Sequence, residues 1–125
     1  MNESKPIAIY LNLVSDKCRR YLVKTCKDKL IKEPSENIVE LSKLLSVLSN
    51  PIRLSILWLL LQMEMPVCLI TAILGKGQTL ISHHLRRLKD IKLVNEEVRG
   101  KFRYYSINPA KRELIESVFN LIELI

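Results

Sequence analysis

The stretch from Leu74 to Val94, LGKGQTLISHHLRRLKDIKLV, constrains this chain more than any other. From Thr79 onward it carries two helical rows at once. Ile81, Leu85 and Leu88 recur at i, i+4 and i+7 and form an apolar face, while Thr79, Ser82, His83 and Arg86 recur at i, i+3, i+4 and i+7 and form a polar one. A helix built this way buries the first row and turns the second outward. Ahead of it, Pro66 opens a shorter helix, Val67 to Leu74, and Gly75 is placed to end that helix in the left-handed conformation. Gly77 frees the backbone before the next helix begins. Two helices joined by a short glycine-containing turn make a helix-turn-helix.

The outward row has the chemistry of a DNA recognition helix. Gln78 can donate and accept at a base edge, Thr79 and Ser82 offer short hydroxyls, and His83 can donate to an acceptor. Arg86 and Arg87 supply charge for phosphates. No acidic residue lies between Gly77 and Lys89. A merely solvated helix usually interleaves Glu with Lys, so the reading as an ordinary polar surface is the weaker one.

After Leu93 the hydrophobic period changes from helical to alternating. Leu93–Val98 and Phe102–Ile107 are β-rich segments around Arg99-Gly100-Lys101, which predicts a hairpin. Arg99, Lys101 and Arg103 crowd its tip, where a wing would touch a phosphate backbone or a minor groove. Either Tyr104 or Tyr105 faces the core.

Before the helix-turn-helix, Pro6 can open a helix in which Ile7, Tyr10, Leu11, Val14, Cys18, Tyr21, Leu22, Cys26 and Leu30 recur at spacings of three and four. This predicts one long amphipathic helix with a basic outer face. Its apolar stripe wants a partner, either the chain's own core or a second copy. Glu33-Pro34-Ser35 breaks it, with Ser35 as the N-cap of a second helix running to Leu48. Asn50-Pro51 caps a third, Ile52 to about Met63, apolar enough to be central to the core, with Trp58 read as packing. Asn108-Pro109 starts a last helix whose stripe is Leu114, Val118, Leu121, Ile122 and Ile125.

A chain of 125 residues suffices for one domain with a real core and is too short for a catalytic domain plus a DNA reader. The formal net charge of +7 is unevenly spread: residues 76–112 carry ten Lys and Arg against three acids, and residues 1–33 carry eight against four. That distribution suits a polyanion, although a membrane surface or RNA accepts such charge too. The longest apolar run, Ile56–Leu61, is far short of the ~20 residues that span a bilayer. The opening MNESKPIAIYLN has neither the basic lead nor the cleavage site of a secretion signal, so a cytoplasmic location and no membrane association are expected. Cys18, Cys26 and Cys68 make no complete disulfide framework and read as free thiols.

The run from Leu48 to Asn108 resembles the ArsR family of dimeric winged-helix transcriptional repressors. The residues that carry the likeness are Asn50-Pro51-Ile52-Arg53 opening a helix, Gln78 with Ile81-Ser82-His83-His84-Leu85, and Gly100 followed by Arg103-Tyr104-Tyr105. The resemblance implies that Gln78, Thr79, Ser82 and His83 work in the major groove and that Arg99, Lys101 and Arg103 work at the wing. It also implies two departures: Gly77 stands where members usually have serine, and Leu80, where they have threonine or asparagine, places an apolar group near the DNA. Members that sense metals use a Cys-x-Cys pair ahead of the turn; those positions here read Pro66-Val67-Cys68. Their C-terminal site needs histidine ligands, and the histidines of this chain are His83 and His84. Zinc wants four good ligands, so no metal site is expected, with Cys68 a weak candidate.

The expected architecture is therefore mainly α with a small β-hairpin: a winged helix-turn-helix domain at 34–108, flanked by dimerisation helices at 1–33 and 109–125, in a single compact domain. The expected function is a homodimeric, sequence-specific regulator that binds double-stranded DNA and represses transcription, without a cofactor and with its effector left open. No nucleophile or carboxylate constellation accompanies the adjacent His83 and His84, so an enzyme is not expected. Two other readings are a nonspecific, chromatin-like DNA binder and a winged-helix protein-interaction module.

Overall fold

Asn50 sets the frame of the domain. In the computed structural model, which describes residues 3–125, its side-chain oxygen accepts from the backbone N–H of Ile52 at 2.9 Å and of Arg53 at 3.1 Å. Pro51 occupies the first turn, where a missing N–H is harmless. The helix thus started, Pro51–Gln62, is the third of six α-helices. The others are α1 (Asp16–Thr25), α2 (Asn37–Leu48), α4 (Val67–Leu74), α5 (Gln78–Asp90) and α6 (Arg112–Asn120), with short strands β1 (Ser4–Pro6), β2 (Leu30–Lys32), β3 (Met65–Pro66), β4 (Val94–Arg99) and β5 (Phe102–Ile107).

The contacts divide the chain into two units, one through Leu41 and one from Ser42 to Ile125. The expectation of a single compact domain does not describe this division. The first unit also differs from the long helix expected from Pro6 to Leu30. Here β1 pairs antiparallel with β2, Ser4 opposite Lys32 and Pro6 opposite Leu30. Between them run a 3-10 turn, Ile7–Leu13, and α1. The break falls at Val14-Ser15, both extended, because Ser15 starts a new helix: its hydroxyl accepts from the Cys18 N–H at 3.3 Å. Arg19 secures the corner, its guanidinium donating to the Leu11 carbonyl at 2.8 Å and to Asp16 at 3.1 Å. A period of three to four survives such a break, so periodicity alone reads straight through it. No described residue before Ser42 is fully buried.

In the second unit, Val47 and Leu48 close α2 against a core that α3 supplies with Ile56, Leu57 and Leu60, α4 with Val67 and Ile70, and α5 with Ile81, Leu85 and Leu88. The sheet has the order β3-β5-β4, antiparallel throughout. Met65 and Pro66 pair with Tyr105 and Tyr104, a strand the sequence reading missed because two residues are too few to show a period. Alternation along β5 buries Tyr105 and Ile107, which settles the choice between the tyrosines. Trp58 is half exposed rather than packed in the core, and its ring meets Phe119 of α6 at 5.4 Å between centroids.

Both helices of the helix-turn-helix end in left-handed turns. Gly75, at φ +64°, ends α4, with its own N–H and that of Lys76 on the Thr71 carbonyl. After α5 the same geometry falls on Lys92, at φ +63°, where Lys92 N–H reaches Lys89 and Leu93 N–H reaches Leu88. Asn108 caps the turn Pro109–Lys111 that leads into α6. The buried side of α6 is Ile115, with Val118 and Phe119 beside it, whereas Leu114, Leu121, Ile122 and Ile125 of the expected stripe are exposed. No single helix among the described residues is long and apolar enough to cross a membrane.

Candidate nucleic-acid interface

The outward face of α5 forms because its inward face is anchored completely. Ile81, Leu85 and Leu88 have no accessible surface, and burying each stabilises the helix by roughly 1.5–3 kcal/mol against the unfolded chain. With that side fixed, Gln78, Thr79, His83 and Arg86 are exposed and Ser82 is half-buried. These five line one surface hollow of α5, so the structure brings together the polar row that spacing predicts.

Arg87 is exposed but stands apart. At 100° per residue it projects about 140° round the helix from Ser82, beside Leu80 at about 160°. Leu80, which the family resemblance puts near the DNA, thus lies on the flank away from Ser82 and is 41% exposed.

His84 faces inward and is 6% exposed. Its Nδ1 accepts from Arg53 Nε at 3.0 Å, while Arg53 Nη1 donates to the Val47 carbonyl at 3.0 Å. Burial first, then the charge of Arg53, holds the His84 imidazole below its ordinary range, so it is neutral and carries its proton on Nε2. His84 thus packs inward and accepts a hydrogen bond, outside the outward polar row.

The hairpin divides the wing residues between two faces. The chain turns at Gly100, φ +61°, with Arg99 opposite Phe102, Glu97 opposite Tyr104 and Glu96 opposite Tyr105. Lys101 and Arg103 line an open groove of about 610 Å³ together with Gln78, Ser82 and Arg86 of α5. Arg99 does not line it. Its guanidinium forks onto both oxygens of Glu64 at 2.7 and 3.0 Å, reaches Glu97 at 2.8 Å and lies over the Tyr104 ring at 4.4 Å. Charge repetition in the sequence does not reveal this split: alternation along one strand would keep Arg99, Lys101 and Arg103 on one side. The turn instead sets Arg99 opposite Phe102 and Val98 opposite Arg103, which puts the two arginines on different faces.

Sequence reasoning also passed over three residues of the groove. Lys89, Glu96 and Tyr105 line it, and Glu96 is their hub. It accepts from Tyr105 Oη at 2.6 Å and from Lys89 Nζ at 3.2 Å, and faces Arg103 Nη1 at 3.3 Å. The Tyr105 hydrogen bond above all holds the Glu96 carboxyl below the usual carboxylate range, while burial and that same bond push the Tyr105 phenol up to about 12. The register of a two-residue turn at Gly100-Lys101 is the one signal that would have found the pair.

The arrangement of two short helices, a buried-backed polar helix and a basic hairpin is shared with known regulators. The family model described as bacterial regulatory protein, arsR family, matches residues 50–96. A cadmium resistance transcriptional regulatory protein CadC homolog of Staphylococcus aureus is 31% identical over 86 residues, covering 67% of this chain and 71% of that protein. The arsenical resistance operon repressor of Staphylococcus xylosus is 35% identical over 83 residues, covering 66% of this chain and 80% of the relative. The chain belongs to the arsR family. Among solved structures, HlyU from Vibrio cholerae N16961 superposes with a TM-score of 0.64 at 28% identity, over 70% of this chain and 97% of that one. The transcriptional repressor BigR from Xylella fastidiosa gives 0.62 at 26% identity, over 69% and 86%. This arsR-family chain is thus a transcriptional regulator with a winged-helix DNA-binding fold and not an enzyme, as the likeness of Leu48–Asn108 implied.

The donor set for a metal does not fit the pattern implied by the family. Pro66 has no side-chain donor where a first thiolate would stand, and Cys68 is exposed at the start of α4. Among the described residues no three His, Cys, Asp or Glu side chains gather where one ion could hold them. Cys18 is exposed and Cys26 half-buried, both in the first unit.

Proposed function

We propose that this protein is a cytoplasmic, homodimeric repressor that reads a specific sequence of double-stranded DNA with α5. The observation that carries the reading is the exposed face of α5: Gln78, Thr79, Ser82, His83 and Arg86 in one hollow, with no acid between Gly77 and Lys89, on a helix whose other side is buried. In the major groove Gln78 and His83 would meet base edges, Thr79 and Ser82 bases or phosphates, and Arg86 and Arg87 the backbone. Lys101 and Arg103 would hold the flanking backbone from the hairpin.

Two copies would place their α5 helices in successive major grooves about 10 bp apart on an inverted repeat. The terminal segments, 1–33 and 109–125, are the proposed dimerisation elements around a DNA-binding domain at 34–108. That no described residue before Ser42 is fully buried, and that Ile9, Leu13, Tyr21 and Leu30 there and Leu114, Leu121, Ile122 and Ile125 at the other end are exposed, supports this. The donor chemistry around Cys68 supports a repressor without a metal-sensing site of its own.

The test is fluorescence anisotropy on the protein's own upstream DNA and on scrambled duplex, for wild type and a Ser82→Ala, His83→Ala double variant. The reading expects a preference of about 10³-fold or more for the native site, lost in the variant while the salt dependence stays. Equal, steeply salt-dependent binding of both duplexes would indicate a backbone binder instead. No binding of either would favour a protein-interaction module.

A further inference from the structure

We propose that Glu96 is a built-in counterion of the groove between α5 and the hairpin: it orients Lys89 and Arg103 and competes with the DNA phosphate that those cations would otherwise hold. The inference rests on the DNA-binding reading above and adds a positioning residue to it.

Four cations line this groove, Arg86, Lys89, Lys101 and Arg103, and Glu96 is the one acid among the described residues that do. Its side chain is only 17% exposed, whereas Lys89 and Arg103 are 47% and 61% exposed, so the carboxylate is the more buried partner of each pair. Both carboxylate oxygens are engaged. Oε2 accepts from Lys89 at 3.2 Å and from Tyr105 at 2.6 Å, and Oε1 faces Arg103 at 3.3 Å.

Two physical consequences follow. Held at their charged tips, Lys89 Nζ and Arg103 Nη1, these side chains lose less rotamer freedom when they meet a phosphate, which favours binding. Against this, one negative charge within hydrogen-bonding distance of both cations lowers the attraction of the groove for any polyanion. Charge wins over positioning here, because Lys89 and Arg103 keep most of the surrounding groove walls without Glu96, while the like-charge repulsion between carboxylate and phosphate disappears entirely. Glu96 thereby restrains the sequence-independent part of binding, which the base-reading row on α5 does not control.

Glu96→Gln isolates the charge, since the amide oxygen can still accept from Tyr105. Salt-series anisotropy with the native and the scrambled duplex is the measurement, on wild type, Glu96→Gln, Arg103→Gln and the double variant, alongside thermal melts. The expected result is that Glu96→Gln tightens binding to both duplexes, on the order of tenfold at low salt, with a log–log salt slope steeper by about one to two. Much of that gain should vanish in the Arg103→Gln background. Wild-type binding with an unchanged or weaker Glu96→Gln of equal melting temperature overturns the role of Glu96 and leaves the DNA-binding reading standing. If no variant binds either duplex, that reading falls and this inference with it. Should Glu96→Gln fail to fold, Arg103→Gln alone decides: a slope shallower by well under one supports an Arg103 already held by Glu96, and a slope shallower by about a full one overturns it.

Discussion

Arg53 Nε donates to His84 Nδ1 at 3.0 Å, and so ties the first turn of α3 to the buried side of α5. The bond needs a lone pair on Nδ1. A protonated imidazole would point a second N–H at the guanidinium and add a charge beside Arg53, His83 and Arg87.

Stability should therefore fall on mild acidification. The folded-state value of His84 lies below the ordinary 6.5, through burial first and the Arg53 charge second. The unfolded chain thus binds the proton more readily. The contribution is complete above about pH 6.5 and is lost as pH falls through the lower folded value. Melting temperatures between pH 7.5 and 5.5 should decline for wild type and decline less for His84→Gln. A wild-type curve that stays flat over that range would contradict this account.

Arg99 and Arg86 should behave differently on DNA despite equal charge. Arg99 is committed to Glu64 and Glu97 away from the groove, whereas Arg86 lines it. Arg86→Gln should make the log–log salt slope shallower by about one, and Arg99→Gln should leave it nearly unchanged. The same salt series reads both; equal losses would mean that the hairpin rearranges on DNA and releases Arg99.

The two left-handed helix ends make opposite predictions. Gly75 has open space where a Cβ would stand, so Gly75→Ala is opposed by backbone conformation alone. It should destabilise by about 1 kcal/mol, and Gly75→Asn by less. Lys92 takes the same φ without being glycine, so Lys92→Gly should stabilise by about 0.5–1 kcal/mol. Urea denaturation of the three variants gives both signs, and a loss of stability in Lys92→Gly would sink the second.

Leu85 is fully buried beneath the polar row. Leu85→Ala should lower stability by about 2–5 kcal/mol. DNA affinity should fall with it only where the folded fraction falls. Calorimetry and anisotropy on one sample separate the two; a specific loss of binding at full folding would show that the row depends on Leu85 for its shape.

Much of the second unit was legible because its signals are local. Asn50-Pro51 and Asn108-Pro109 are caps made by one side chain on the next few N–H groups, and Gly75 ends α4 by its own backbone freedom. Ile81, Leu85 and Leu88 mark the buried side of α5 by spacing alone, and the polar row follows from it. The break at Val14-Ser15 escaped because the apolar period runs through it, although Ser15 has the chemistry of a cap.

The sequence by itself determined where the helices of the winged domain start and stop and which side of α5 faces out, since those properties depend on neighbours within a turn or two. Only the tertiary structure decided which charges are available. Glu64 and Arg99 lie 35 positions apart, Lys89 and Glu96 seven, and Arg53 and His84 31. Whether such groups pair depends on strand register and helix docking, so the basic residues the chain repeats differ in availability: Arg99 is committed to Glu64 and Glu97 outside the groove, Lys89 and Arg103 share Glu96 within it, and Arg86 and Lys101 line it.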